Sequence, residues 1–148
     1  MTYAEIHELT GEAERTVHFT LPPGTAKYLR QFPGYETFDE RVHVLRCIKP
    51  GTGCKDAPRA FSLKLASITQ SAEVGLVPTL MDRELEVKHD NNGYLVALQS
   101  KHVDDVKIGA LPTESKCIIN AIEAAFGPVT YSKSKFDNCG VRHTHMPN

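Results

Sequence analysis

Apolar and polar positions alternate most regularly in the middle of the chain. Glu84-Leu85-Glu86-Val87-Lys88 has period two, as a half-buried strand does, and Asp90-Asn91-Asn92-Gly93 supplies hairpin-turn chemistry. A strand over 94–103 pairs back on it, and the short apolar segment Val106-Lys107-Ile108 follows as another. Upstream, Phe61, Leu65, Ile68 and Ala72 recur at helical spacing and predict an amphipathic helix over 57–73, with Asp56 as its cap and Pro58 in its first turn. Pro112-Thr113 opens a second amphipathic helix with Ile118, Ile122 and Ala125 on one face, and Gly127-Pro128 closes it. Lys135 to His143 reads as a last strand.

The N-terminal part is punctuated more often. Thr2-Tyr3-Ala4-Glu5 matches a capping box, with Ile6 and Leu9 on one helical face and Gly11 as the stop. Thr16 to Thr20 and Val42 to Ile48 alternate as strands, and Thr25 to Gln31 fits a turn or two of helix between them. Helix, two paired strands, helix, strand is most of a split βαβ, or ferredoxin-like, layer of the α+β class. Both long helices are then expected on one face of an antiparallel sheet, burying Leu65, Ile68, Ile118 and Ile122. The sheet's first strand is missing from this pattern, and its place lies before Met1.

Composition narrows the function classes. A chain of 148 residues, 41% hydrophobic and 24% charged, fits one globular domain with a real core. No apolar run reaches the length of a membrane span, and no basic segment with an apolar core opens the chain, so an intracellular location is expected. The formal net charge of -1 gives no global basic field. Charge is nevertheless uneven: Arg41, Arg46, Lys49, Lys55, Arg59 and Lys64 are opposed within 41–64 only by Asp56, while Glu5, Glu8, Glu12 and Glu14 gather near the start. Such a basic run faces either solvent or phosphates. Cys47, Cys54, Cys117 and Cys139 form no C-x-x-C pair, and Cys139 with His143 and His145 lacks the second close pair of a zinc site. Lys49-Pro50-Gly51-Thr52-Gly53-Cys54-Lys55 is glycine-rich, but Cys54 separates Gly53 from Lys55, unlike a nucleotide-hydrolase phosphate loop.

The chemistry-bearing stretch is Gln99 to Gly109. Asp104 and Asp105 lie between two strand-like segments and are expected in a tight turn at the tip of a buried hairpin. There, repulsion and desolvation both disfavour two ionised acids, and a hard divalent cation with oxygen ligands relieves the conflict. The plain alternative is a solvated turn, because Asp favours turns for local hydrogen-bonding reasons.

Two blocks carry a family resemblance. Gly53-Cys54-Lys55-Asp56-Ala57-Pro58-Arg59-Ala60-Phe61, followed at similar separation by His102-Val103-Asp104-Asp105, resembles the reverse transcriptase of copia-type LTR retrotransposons, with its Gly-Leu-Lys-Gln-Ala-Pro-Arg-Ala-Trp and Tyr-Val-Asp-Asp motifs. Pro22-Pro23-Gly24, Pro78-Thr79 with Asp82 and Leu85, and Asn138-Cys139-Gly140-Val141 resemble further segments in the same order, so the likeness covers roughly residues 16 to 145. The resemblance implies a partial polymerase palm, with 1–50 from fingers or connection and 51–148 from palm. It implies templated DNA synthesis by two-metal nucleotidyl transfer with magnesium or manganese. Asp104 and Asp105 become the catalytic metal ligands. Gly53, Lys55, Pro58, Arg59 and His102 become contacts to template, primer end or incoming nucleotide. The implied partners are an RNA template, a DNA primer, deoxynucleoside triphosphates and the rest of a retroelement polyprotein, with no membrane.

The sequence departs from the family at three points. His102 stands where the family has tyrosine, and Asp56 where it has glutamine. The family's first catalytic aspartate precedes the Pro-Pro-Gly segment, whereas Met1 to Thr20 contains only glutamates as acids. The expectation is a fragment of the domain that is inactive alone. The alternatives are a non-catalytic module that binds nucleic acid or protein, and a small metal-dependent phosphodiesterase.

Overall fold

The computed structural model describes residues 1–51, 53–103, 105–138 and 140–146. The chain divides into two units, Met1–Ala60 and Phe61–Asn148. Among the described residues no helix is long and apolar enough to cross a membrane.

In the first unit, helix α1 (Tyr3–Thr10) forms on the signals read from sequence. Thr2 Oγ1 accepts the Glu5 N–H at 3.1 Å, and Glu5 Oε2 accepts the Thr2 N–H at 2.6 Å. Gly11, at φ 69°, returns its N–H to the His7 carbonyl, a left-handed turn that glycine adopts without strain. Strand β1 (Val17–Phe19) pairs antiparallel with β2 (Leu45–Cys47), and the four-residue α2 (Ala26–Leu29) lies between them in sequence. The strand expected over Val42 to Ile48 is shorter because Val42 and His43 both donate their N–H groups to the Asp39 carbonyl, which makes 39–43 a turn. Glu40 accepts the Gly24 and Ala26 N–H groups at 2.7 and 3.0 Å, and these bonds hold its carboxyl below its ordinary pKa. Tyr3, Ala26, Phe38 and Ala60 are buried, while Phe19, Tyr28, Phe32, Val42, Val44 and Ile48 stay exposed.

The second unit is organised on a four-stranded antiparallel sheet. Strands β3 (Val77–Pro78), β4 (Leu85–His89), β5 (Leu95–His102) and β6 (Asp105–Ala110) lie in sequence order as a meander. Helix α3 (Ala57–Thr69) ends before the expected residue 73. Ser71 donates to the Ile68 carbonyl and Leu76 to that of Thr69, so the chain turns back and buries Val74 and Leu76, leaving Ala72 exposed. Helix α4 (Pro112–Phe126) starts on its proline and stops at Gly127, as its sequence predicts. Leu65, Ile118 and Ile122 join Val74, Leu76 and Ala97 in one core, with Phe61, Val106, Ile108 and Ala110 at its margin. Both helices therefore cover the same face of the sheet. Ile68 is only half-buried, and its neighbour Thr69 is buried instead.

The class is α+β, but the last strand is not where the split βαβ reading put it. Residues 135–143 do not form one strand: β7 (Lys135–Asn138) and β8 (Val141–Thr144) make a separate two-stranded hairpin around Gly140, whose φ is 74°. Among the described residues neither strand joins the four-stranded sheet, so nothing there closes a split βαβ crossover.

The covered face of the sheet carries charge. Glu86 is fully buried, and its carboxylate accepts from Thr69 Oγ1 at 2.7 Å, Gln99 Nε2 at 3.1 Å, Gln70 Nε2 at 2.8 Å and Lys101 Nζ at 2.9 Å. Antiparallel register sets Glu86 opposite Gln99, which brings Lys101 within reach along the same face.

Candidate functional site

The hairpin that carries the acidic pair is tight. His102 pairs with Asp105 and Lys101 with Val106, so residues 103 and 104 alone connect β5 to β6. Asp104, assigned from sequence as a catalytic metal ligand, lies outside the described residues. Asp105 corrects the sequence reading in two respects. It is the first residue of β6, not a turn residue, and it is exposed, as are His102 and Val103. The buried-tip argument for a cation therefore does not apply to the Asp105 carboxylate.

Val103 is held at φ 55°. A β-branched residue in the left-handed region is strained, because its Cβ crowds the following carbonyl. Two-residue hairpins demand positive φ at their first central position, and Asn or Gly fills it more cheaply than Val. Val103→Asn should accordingly raise stability by about 1 kcal/mol, read as a higher urea midpoint at unchanged slope. A lower midpoint would show that packing of the valine outweighs its backbone strain.

Asp105 offers hard oxygen donors of the kind magnesium takes, and magnesium relies on few carboxylates together with waters and substrate phosphates. Among the described residues there is no group of three or more His, Cys, Asp or Glu placed to hold a metal ion. Asp105 supplies one carboxylate of the hard-oxygen kind at this hairpin. Of the loosely zinc-like set, Cys139 lies outside the described residues. His143 stacks on Phe136 at 5.1 Å between ring centroids and accepts a 3.0 Å hydrogen bond from Lys107 Nζ at Nδ1.

The other sequence-assigned residues belong to the first unit. Gly53 has φ 87°, and the loop is folded by Cys54 N–H to the Gly51 carbonyl and Ala57 N–H to the Cys54 carbonyl. Lys55, Pro58 and Arg59 are exposed, with Pro58 the second residue of α3. Gly53, Lys55, Pro58 and Arg59 thus lie along one short stretch of the first unit, while His102 and Asp105 lie at the hairpin of the second.

A charged cluster around that stretch was not singled out from sequence. Arg59 donates twice to Glu12, with both distances 2.5 Å, and Arg15 donates to Asp56 at 2.5 Å. Arg46 donates to Glu14 at 2.8 Å. Tyr3, Glu12, Arg15, Asp56 and Arg59 line a cavity of about 160 Å³. The bonds from Arg59 lower the Glu12 pKa, and Glu12 in turn raises that of Arg59. Burial, followed by the charge of Asp56, pushes the Tyr3 phenol up. The sequence signal was the excess of glutamates near the start facing the basic run over 41–64, but charge content alone does not assign partners.

Together the sheet and hairpin define an α+β chain with an exposed carboxylate, Asp105, at the start of β6 and a basic, ion-paired stretch in the first unit. Comparison with protein-family models, with curated proteins and with solved structures returned no match.

Proposed function

We propose that this chain is part of a reverse transcriptase domain of the copia type, with 1–50 derived from fingers or connection and 51–148 from a palm, acting on an RNA template, a DNA primer and deoxynucleoside triphosphates. The observation that carries the reading is the pairing of His102 with Asp105 across a two-residue connection, with the first and last residues of the His-Val-Asp-Asp block facing each other across a hairpin. The second block, Gly53 to Phe61, supports it as a loop running into a helix with Lys55 and Arg59 exposed.

In this reading Asp105, with Asp104, holds magnesium or manganese, which when bound stabilises charge on the attacking 3′-oxygen and the leaving pyrophosphate. Lys55 and Arg59 meet phosphates of template or nucleotide, the lysine as a point charge and the arginine as a planar fork. Gly53 and Pro58 shape the loop and the helix start, and His102 lies under the primer end. The 148 residues contain one of the two acidic strands that this chemistry uses.

The test is primer extension on an RNA template with manganese or magnesium. Residues 1–148 should bind the primer–template but not extend it. A longer chain with an aspartate-bearing strand ahead of residue 16 should extend it, with activity falling at least about 10³-fold in Asp104→Ala, since transition-state charge stabilisation is lost. Extension by 1–148 that disappears with Asp104→Ala would contradict the half-site. Binding without extension by any version favours the non-catalytic module, and metal-dependent cleavage of the strand favours the phosphodiesterase.

A further inference from the structure

We propose that Glu12 and Glu14 form an electrostatic mask over Arg59 and Arg46, and that phosphates of single-stranded nucleic acid displace this mask when the first unit binds. The proposal rests on the nucleic-acid reading above and adds how that binding is regulated. Arg59 donates through both Nη atoms to the two oxygens of Glu12, so the fork that matches a phosphate is occupied by a carboxylate of this same unit. Arg46 is held in the same way, by one bond, to Glu14. Arg41, Lys49 and Lys55 are exposed and have no ion pair among the described residues. The unit therefore presents free cations beside screened ones.

The acidic segment is placed, not trailing. It follows the Gly11 stop of α1, the Glu12 N–H donates to Thr10 Oγ1 at 3.3 Å, and the Glu12 carbonyl meets the His7 ring nitrogen. Its ion pairs are nevertheless open to solvent: side chains of Arg59 and Glu12 are 50% and 55% exposed, and those of Arg46 and Glu14 are 56% and 41% exposed. Exposed pairs of this kind are individually weak. A polyanion that engages Lys49 and Lys55, three and four residues along the chain from Arg46 and Arg59, can therefore take over the two arginines. The lowered pKa of Glu12 agrees with this geometry, since it keeps the masking carboxylate charged.

The test is fluorescence anisotropy of the 148-residue chain with a labelled single-stranded oligothymidylate across a salt series. E12Q/E14Q should bind about threefold to tenfold more tightly at low salt, which is the effect of removing two weak competing pairs. Its plot of log affinity against log salt should steepen by about 0.7 for each arginine freed. Adding R46Q/R59Q should abolish both changes. E14Q alone should release one arginine, which keeps the test decisive if the double variant unfolds by circular dichroism. Unchanged affinity and slope, a gain that survives R46Q/R59Q, or no binding by any version each overturns the mask. The mask is read from the change in affinity and salt slope and the polymerase reading from primer extension, so the two failures are distinguishable.

Discussion

Lys101→Met is expected to destabilise the second unit by about 3–5 kcal/mol, the cost of leaving a buried charge without its counter-ion. Glu86 is fully buried and Lys101 nearly so, and among the described residues the ammonium is the one cation of the four donors to the Glu86 carboxylate. Thr69, Gln70 and Gln99 would still donate, but neutral donors do not cancel the charge. The other nearby carboxylate, Glu84, lies 3.8 Å from Lys101 Nζ with half its side chain in solvent, so it does not require the lysine. The companion variant Glu86→Gln/Lys101→Met removes both charges and keeps an acceptor for Thr69. It should therefore be more stable than Lys101→Met alone, because replacing a buried ion pair outright is far cheaper than breaking it. Urea unfolding followed by far-ultraviolet circular dichroism measures both. A loss below about 1 kcal/mol in Lys101→Met would mean that the carboxylate is hydrated and that the pair is not the sheet's electrostatic anchor.

This network also marks where sequence patterning stops being informative. Local signals were legible: the Thr2–Glu5 box with its Gly11 stop, the Asp90–Gly93 turn, and the Pro112-to-Gly127 bounds of α4 each act within a few residues of themselves. The sheet's faces were not. Alternation over 84–88 suggests that Leu85 and Val87 face the core, yet Glu86 is the fully buried residue and the two apolar neighbours are half-buried. Along β5, Ala97, Gln99 and Lys101 are buried while Leu98 is exposed. A polar stripe is buried here because the register and α3 supply partners for each charge, and such partners lie 13 to 17 residues away in sequence. Gln99 Oε1, a buried side-chain atom with no hydrogen-bond partner among the described residues, shows that the satisfaction there is incomplete. The hairpin was legible as a hairpin, but the placement of Asp105 in the strand depends on cross-strand pairing with His102, which no local rule supplies. The ion pairs of Glu12 and Glu14 span 47 and 32 residues and were beyond reach for the same reason.

Leu65→Ala should cost about 2–5 kcal/mol, and Ile68→Ala no more than about 1 kcal/mol, although the helical spacing places both on one apolar face. Leu65 is fully buried among Val74, Leu76, Ala97, Ile118 and Ile122, so truncation leaves a cavity whose walls belong to two helices, the returning loop and the sheet. Rigid walls of that kind collapse little, and the cost then includes both lost transfer energy and the void. Ile68 is half-buried, and solvent can fill part of the space its side chain leaves. The difference follows from where α3 ends. Because the chain turns back after Thr69, that residue is buried and gives its hydroxyl to Glu86, and the helix is rotated so that Leu65 and Thr69, four apart, point inward together. Urea midpoints of the two variants measure the rotation directly. Equal losses, or a larger loss for Ile68→Ala, would mean that α3 packs on the face its full apolar spacing suggests and that the Thr69–Glu86 bond does not form.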